Sequence, residues 1–474
     1  MAVSSPIKFG TDGWRGVIAD TFTFANVRVV TQAVADYLRA RHTAPRGIVI
    51  GYDHRFQSST FARIAAEVLV ANGIPVCLAR EPLPTPAVSF AARHHQLDGG
   101  IMITASHNPP DWNGFKFKTP DGASADPEIT AQFEARLGAT PPASTALAAA
   151  PAALVRELPL IEPYLDWVRA FVDQRTLGAG AYRLLMDSMY GVGKTYVQEL
   201  LRGTPHTVTT MRAEHNPSFC GIAPEPVPHN LAATVEAARA ANADLTCITD
   251  GDADRLAALD SRGAYLITPR IAVLIAAHLL RNRGWSGTLV KTVSCSVVVD
   301  RFARAHGLRV MEEPVGFKYI VPYLRSGEAL VGTEESGGLG LRGHIPERDG
   351  ILGSLMLLEA LIGLGFRNAG AAVDWLDQQY GALRYHRVDA HYTAQQKETF
   401  LARVKAAPPQ ELLGQRVVNI KTVDGVKFEC ADDSWLLLRF SGTEPLVRFY
   451  AEAPSAAAAQ ALTEIGLTLL TAGV

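Results

Sequence analysis

An α/β fold spread over several domains, closed by a smaller C-terminal α+β unit, is the architecture this sequence predicts. Three observations lead there. Short apolar runs alternate with segments of helical spacing along most of the chain, the pattern of layered α/β proteins. At 474 residues the chain exceeds what one hydrophobic core sustains and suggests about three to four domains. From about Tyr380 the pattern shifts to a small α+β unit that ends in an amphipathic helix.

The elements follow in order. Lys8 to Gly16 has three glycines in seven positions, a loop whose backbone must approach something closely. Val27, Val30, Val34, Tyr37 and Leu38 give a helix behind Asn26 as cap. Gly47 to Asp53 reads as a strand, Ser58 to Asn72 as a helix with Gly73 at its C′ position, and Ile74 to Ala79 as a strand. Pro86 suits the start of another helix, and Gly99 to Ile103 is a short buried strand. The Ala/Pro-rich stretch Gly138 to Ala153 has no usable period and marks a first boundary. A second unit opens with the strand Tyr182 to Met186, passes a Pro-rich extended connection (Asn216 to Pro228) and a helix (Leu231 to Ala241), and reaches the strand Ala243 to Thr249. A third spans roughly Ser261 to Gly370. The expected divisions are residues 1–150, 151–258, 259–372 and 373–474. No repeat is visible in the sequence.

Composition narrows the function classes. A net charge of −2 creates no global field for nucleic acid or anionic lipid, so an anionic ligand must be held by local groups. The five cysteines are scattered and lack C-x-x-C spacing, which argues against a disulfide framework or a zinc site and fits a reducing compartment. The N-terminus has no apolar h-region, and the runs Ile271 to Leu280 and Leu352 to Phe366 are too short to span a bilayer and read as buried helices. A cytoplasmic protein without membrane or nucleic-acid partners is expected, as a monomer or weak homo-oligomer. Tyr190 to Thr195 imitates a P-loop, but G-x-x-x-x-G-K-T spacing requires glycine at 188 and serine stands there.

Four clusters carry chemistry. Thr104-Ala105-Ser106-His107-Asn108-Pro109-Pro110 follows the strand Gly99 to Ile103, so Ser106 is delivered to the carboxyl edge of a sheet, where α/β folds bind ligands. Alone such a serine reads as a turn cap, and no Gly-x-Ser-x-Gly elbow surrounds it. Asp250, Asp252 and Asp254 alternate in a turn after an apolar strand. Three carboxylates this close repel without a cation, and oxygen ligands suit a hard ion such as Mg²⁺. A calcium-type loop is excluded because Leu256 to Leu259 turns back into strand. Glu334 and Ser336 lie on a glycine-rich turn suited to hydroxyl-rich ligands, with Arg348 close behind. Arg439, Ser441, Gly442 and Thr443, with Arg448 beyond, combine arginine forks, hydroxyls and free amides into a phosphate nest.

Together with Gly13-Trp14-Arg15-Gly16, these segments occur in the order found in the α-D-phosphohexomutase family, and over residues 8 to 448 the chain resembles that family. The resemblance implies three related α/β domains plus the α+β domain around a central cleft. It implies that Ser106 carries the phosphoryl group, that Asp250, Asp252, Asp254 and a phosphoserine oxygen hold Mg²⁺, and that glucose 1,6-bisphosphate is intermediate and activator. Glu334 and Ser336 would contact sugar hydroxyls, and Arg439, Ser441, Gly442 and Thr443 the remote phosphate. Arg15, Lys116 and Arg255 would line the transfer site. Proton transfer falls to His107 or Lys116, between which the sequence does not choose.

Within the family, phosphoglucosamine mutases and many phosphomannomutases place histidine where Gly338 stands, and many dual-specificity enzymes place it at Phe317. This chain has neither, and its Glu334-Glu335-Ser336 and His344 to Gly350 segments resemble those of phosphoglucomutases. The expected substrate is glucose 1-phosphate. Mannose phosphate, dual specificity, glucosamine phosphate and a non-catalytic sugar-phosphate sensor are the alternatives.

Overall fold

The computed structural model describes residues 7–440 and 446–471. Its first three units share one topology. In the first, the strand Ile48–Tyr52 lies between Val76–Leu78 and Gly99–Ile103, both parallel to it, and Trp112–Lys118 runs antiparallel beside the latter. In the second, Arg183–Asp187 lies between parallel Thr207–Met211 and Leu245–Thr249, with Leu256–Leu259 antiparallel. In the third, Thr288–Thr292 lies between parallel Val310–Glu313 and Ala329–Thr333, with Leu339–Leu341 antiparallel. The structure thus contains a threefold repeat that the sequence conceals. A pleated, buried strand requires only apolar residues of suitable shape, so topology persists without residue identity.

The fourth unit is a six-stranded antiparallel sheet from Arg384–His391 to Glu411–Leu412. The helix Ala456–Thr471 packs across its strands Arg384–His391 and Leu446–Ala453. The α/β class with a C-terminal α+β unit is therefore the one found. Helices Thr268–Asn282 and Gly350–Gly363 pack on each other, the latter with Gly350 through Leu361 all buried, as their apolar runs predict. No helix among the described residues is long and apolar enough to cross a membrane.

One local reading changes. The first helix, Phe24–Arg41, begins before Asn26: Thr23 is its N-cap and accepts from the Asn26 amide at 3.2 Å, while the Asn26 side chain donates to the Thr21 carbonyl. Thr23 is extended and so can turn its hydroxyl onto the first-turn amides. The Ala/Pro-rich stretch is tied to the first unit by its backbone. The Thr145 amide donates to the Glu67 carbonyl and the Arg156 amide to the Val76 carbonyl, so the chain runs back along the first sheet before leaving it.

Candidate active site

In each of the three repeated units the turn after the third strand carries one of the predicted clusters. Residues 104–110 follow Gly99–Ile103, residues 250–255 follow Leu245–Thr249, and residues 334–338 follow Ala329–Thr333. Equivalent positions in three sheets thus supply three different chemistries, and the hydrogen bonds below show that the turns meet.

Ser106 takes a left-handed conformation with φ 53°, costly for a residue with a Cβ. The turn is held from behind. The buried guanidinium of Arg55 donates to the carbonyls of Ser106 (2.8 Å), Asn108 (2.6 Å), Pro109 (2.6 Å) and Trp112 (3.0 Å). Asp53 pairs with Arg55 at 3.2 Å and accepts from Thr104 Oγ1 at 2.6 Å. So fixed, Ser106 Oγ donates to Asp250 Oδ2 at 2.7 Å and lies 3.3 Å from His107 Nδ1. Burial, then the charges of Arg255, Arg15 and Lys116, hold the His107 imidazole well below its ordinary pKa, so it is neutral.

Asp250, Asp252 and Asp254 are fully buried, and each offers an oxygen within 4.8 Å of the others. Burial, then the charges of Asp252 and Asp254, push the Asp250 carboxyl well above the usual range. Asp252 is held low: burial opposes ionisation, but Lys116 outweighs it, helped by a 2.6 Å bond from Thr85 Oγ1. Asp252 Oδ1 and Asp254 Oδ1 are buried and accept no hydrogen bond from the described residues. Buried carboxylates this close, two of them with an orphaned oxygen, are costly unless a cation joins them. The trio fits a hard divalent ion.

Cations surround it. Lys116 Nζ donates to Asp252 Oδ2 (2.8 Å) and Asp254 Oδ2 (3.1 Å) and pairs with Asp12 Oδ2 (2.9 Å). Burial lowers the Lys116 pKa, but the three carboxylates more than reverse this, so the ammonium stays charged. Arg348 Nη2 bridges Asp254 Oδ2 (2.7 Å) and Asp12 Oδ2 (2.5 Å). The Arg255 amide donates to Asp250 Oδ1 at 3.1 Å, and its guanidinium donates to the Ser336 carbonyl at 3.2 Å, tying the second turn to the third. Arg15 donates to Asn108 Oδ1 at 2.7 Å.

On the third turn, the Glu334 amide donates to the Gly338 carbonyl at 2.9 Å, which closes the loop. The Glu334 carboxylate is 4% exposed, with Oε2 unbonded and 3.8 Å from Arg348 Nη1. Burial, then Glu335, against the pull of Arg348, raise its pKa to about 7. A raised folded-state value means that the folded protein binds the proton more tightly than the unfolded chain, whose glutamates titrate near about 4.3. This contribution to stability is complete below about 4.3 and is lost as pH rises through 7. The wild-type melting temperature should therefore fall relative to that of Glu334→Gln between pH 5 and pH 8. Parallel melting curves across that range would refute it.

Arg439 and Arg448 face each other on neighbouring strands of the fourth unit. Arg439 Nε donates to Asp424 Oδ2 at 2.6 Å, and Arg448 Nε to Asp389 Oδ2 at 3.4 Å. The pair lies on the two strands that flank residues 441–445 in the sequence. Ser441, Gly442 and Thr443 lie outside the described residues.

The sequence reading passed over several residues of this network. Asp12 sits inside the glycine-rich loop that drew attention for its backbone. Glu347 sits beside Arg348, pairs with the buried Lys118 and accepts from Ser124 Oγ at 3.1 Å. Thr85 and Arg55 carried no sequence signal.

Comparison with known proteins agrees along the whole chain. Four family profiles match in order: phosphoglucomutase/phosphomannomutase alpha/beta/alpha domain I at residues 6–142, domain II at 162–263, domain III at 269–376, and the C-terminal domain at 393–465. A phosphoglucomutase/phosphomannomutase of Thermococcus kodakarensis is 30% identical over 98% of both chains. A phosphoglucosamine mutase of Cereibacter sphaeroides is 31% identical over 94% of both. A crystal structure of a Thermus thermophilus protein provisionally called a phosphomannomutase superposes with a TM-score of 0.86, at 34% identity over 99% of this chain and 100% of that one. With its motifs, its three repeated sheets and its profile matches in one order, the chain belongs to the phosphoglucomutase/phosphomannomutase family of phosphohexomutases, which are isomerases.

Proposed function

We propose that this chain is a phosphoglucomutase, interconverting glucose 1-phosphate and glucose 6-phosphate through a phosphorylated Ser106 and a bisphosphorylated sugar. The observation that carries the choice of sugar is the packing at Gly338. A Cβ added there would lie 2.4 Å from Glu334 Oε2 and 3.0 Å from Arg348 Cδ. The tip of the Glu334 side chain occupies that space, so a histidine here, as in mannose- and glucosamine-handling relatives, would require Glu334 to move from its present place.

In this reading phosphorylated Ser106 gives its phosphoryl group to the free hydroxyl of the bound hexose phosphate. The P–Oγ bond breaks, a P–O bond to the sugar forms, and the proton of the sugar hydroxyl ends on the serine Oγ that leaves. His107 Nδ1, 3.3 Å from Oγ, is the ring nitrogen placed to deliver that proton to the serine oxygen. Lys116 Nζ is taken up by three carboxylates and serves as charge. The bisphosphate then turns end for end and returns its other phosphoryl group to Ser106. Arg15, Arg255 and Lys116 neutralise the group in transit, since phosphoryl transfer depends on positioning and charge stabilisation. A divalent cation, Mg²⁺ by preference, held by Asp250, Asp252, Asp254 and a phosphoserine oxygen, would supply further neutralisation. Glu334 and Ser336 read the sugar hydroxyls. Arg439, Arg448, Ser441, Gly442 and Thr443 hold the phosphate that does not react.

The sugar assignment is tested by kcat/KM with three substrates under one condition. Glucose 1-phosphate is expected highest and mannose 1-phosphate lower but measurable, because the 3- and 4-hydroxyls gripped by Glu334 and Ser336 are common to both. Glucosamine 1-phosphate is expected lowest, because it brings an ammonium toward Arg15, Lys116 and Arg255. Mannose equal to or above glucose would overturn the ranking.

A further inference from the structure

Asp12 belongs to none of the ligand clusters, yet it touches both cations that press on the metal carboxylates. Its Oδ2 receives Lys116 Nζ at 2.9 Å and Arg348 Nη2 at 2.5 Å. Its Oδ1 accepts from Ser124 Oγ at 2.9 Å and lies 3.8 Å from Lys118 Nζ. The next residue fixes where it stands. Gly13 has φ 92°, and a Cβ there would meet the Phe115 carbonyl at 2.6 Å, so the loop lies flat against the strand that carries Lys116. Pairing of Trp14 with Phe115 continues that contact.

The partners of the two cations decide what Asp12 does. Among the described residues, the ion pairs of Lys116 are with Asp252, Asp254 and Asp12 only. Arg348 hydrogen-bonds through its guanidinium to Asp254 and Asp12, with Glu347 at 3.5 Å and Glu334 at 3.8 Å. Without Asp12, the ammonium would depend wholly on two carboxylates of the trio. A divalent ion entering there meets positive charge already seated on Asp252 Oδ2 and Asp254 Oδ2. Like charges at such distances in a buried site repel strongly.

We propose that Asp12 is a positioning residue for the metal site. It gives Lys116 and Arg348 an anion of their own, so that the orphaned oxygens of Asp252 and Asp254 remain free for a divalent cation. The inference rests on the reading of the trio as the metal site. It adds that a fourth carboxylate, delivered by the N-terminal loop, sets how well the trio binds.

The test is Mn²⁺ binding to the full-length chain, read by calorimetry or by loss of the free-ion electron paramagnetic resonance signal, without substrate. Asp12→Asn keeps the shape and removes the charge, and should raise the Mn²⁺ Kd by about 10- to 100-fold, as loss of an outer-sphere partner does. Asp12→Glu should bind far closer to wild type, which a role in shape alone would not give. Wild-type affinity in Asp12→Asn, or a Kd for Asp12→Glu as weak as that of the asparagine variant, overturns the proposal. Lys116→Met provides a separate arm that does not depend on Asp12→Asn folding. With the competing ammonium gone, Mn²⁺ should bind at least as tightly as to wild type, and weaker binding also overturns the proposal. Asp252→Asn separates the two levels: if it too keeps wild-type affinity, the trio is not the metal site. If it loses binding while Asp12→Asn does not, only the role of Asp12 fails.

Discussion

Ser106→Ala should lose turnover on the order of 10⁴-fold or more, because it removes the hydroxyl that the strand-end turn presents to Asp250. The fold should survive. The lost bond from Oγ to Asp250 Oδ2 is worth about 1–3 kcal/mol. Alanine meets the same left-handed backbone as serine, and Arg55 still grips the turn by its carbonyls. Assays with glucose 1-phosphate, melting curves, and mass spectrometry of the 104–116 peptide settle the point together. Wild-type turnover in the variant would remove Ser106 from the chemistry, and an unfolded variant would make its role structural.

Asp252→Asn should depress turnover by at least about 10²-fold through loss of the divalent ion. Asparagine keeps the outline of aspartate and can still accept from Thr85, but it removes the carboxylate nearest Lys116. Melting in EDTA should change little, since the repulsion that raises Asp250 is relieved as the Lys116 pair is lost. The clear signature is linkage. Wild type should gain about 2.7 kcal/mol of stability at a Mg²⁺ concentration 100 times Kd, and the variant almost none. Equal stabilisation of both proteins by Mg²⁺ would show that the ion binds elsewhere.

The sequence disclosed this site where chemistry and backbone coincide. Ser106, the aspartate trio and Glu334 each follow a short apolar run that becomes the third strand of its unit, so their place at a sheet edge could be read locally. The alternation of elements likewise showed the α/β class. What stayed hidden depends on contacts between distant positions. Arg348 meets Asp12 across 336 residues and Thr85 meets Asp252 across 167, and a single sequence carries no record of either. The cap at Thr23 was missed for a local reason: Thr23 and Asn26 are both good capping residues, and only the path of the chain decides between them. The threefold repeat was expected only through the family resemblance, because what its units share is strand order, which a residue-by-residue reading does not display.

Arg55 grips the Ser106 turn only through main-chain carbonyls, 51 positions away from the serine. Every residue has a carbonyl, so this grip does not depend on which side chains the turn bears; among those side chains Thr104 joins the frame, donating to Asp53 and accepting from the Ser106 amide. Substitutions elsewhere in the turn are filtered mostly by chemistry, while the structural constraint is carried by Arg55, Asp53 and Thr104. Within the family, the spelling of the turn can therefore drift toward new acceptors or new proton donors without an intermediate that fails to fold. The arginine has no such latitude, and a lineage that loses it should lose the serine's function as well.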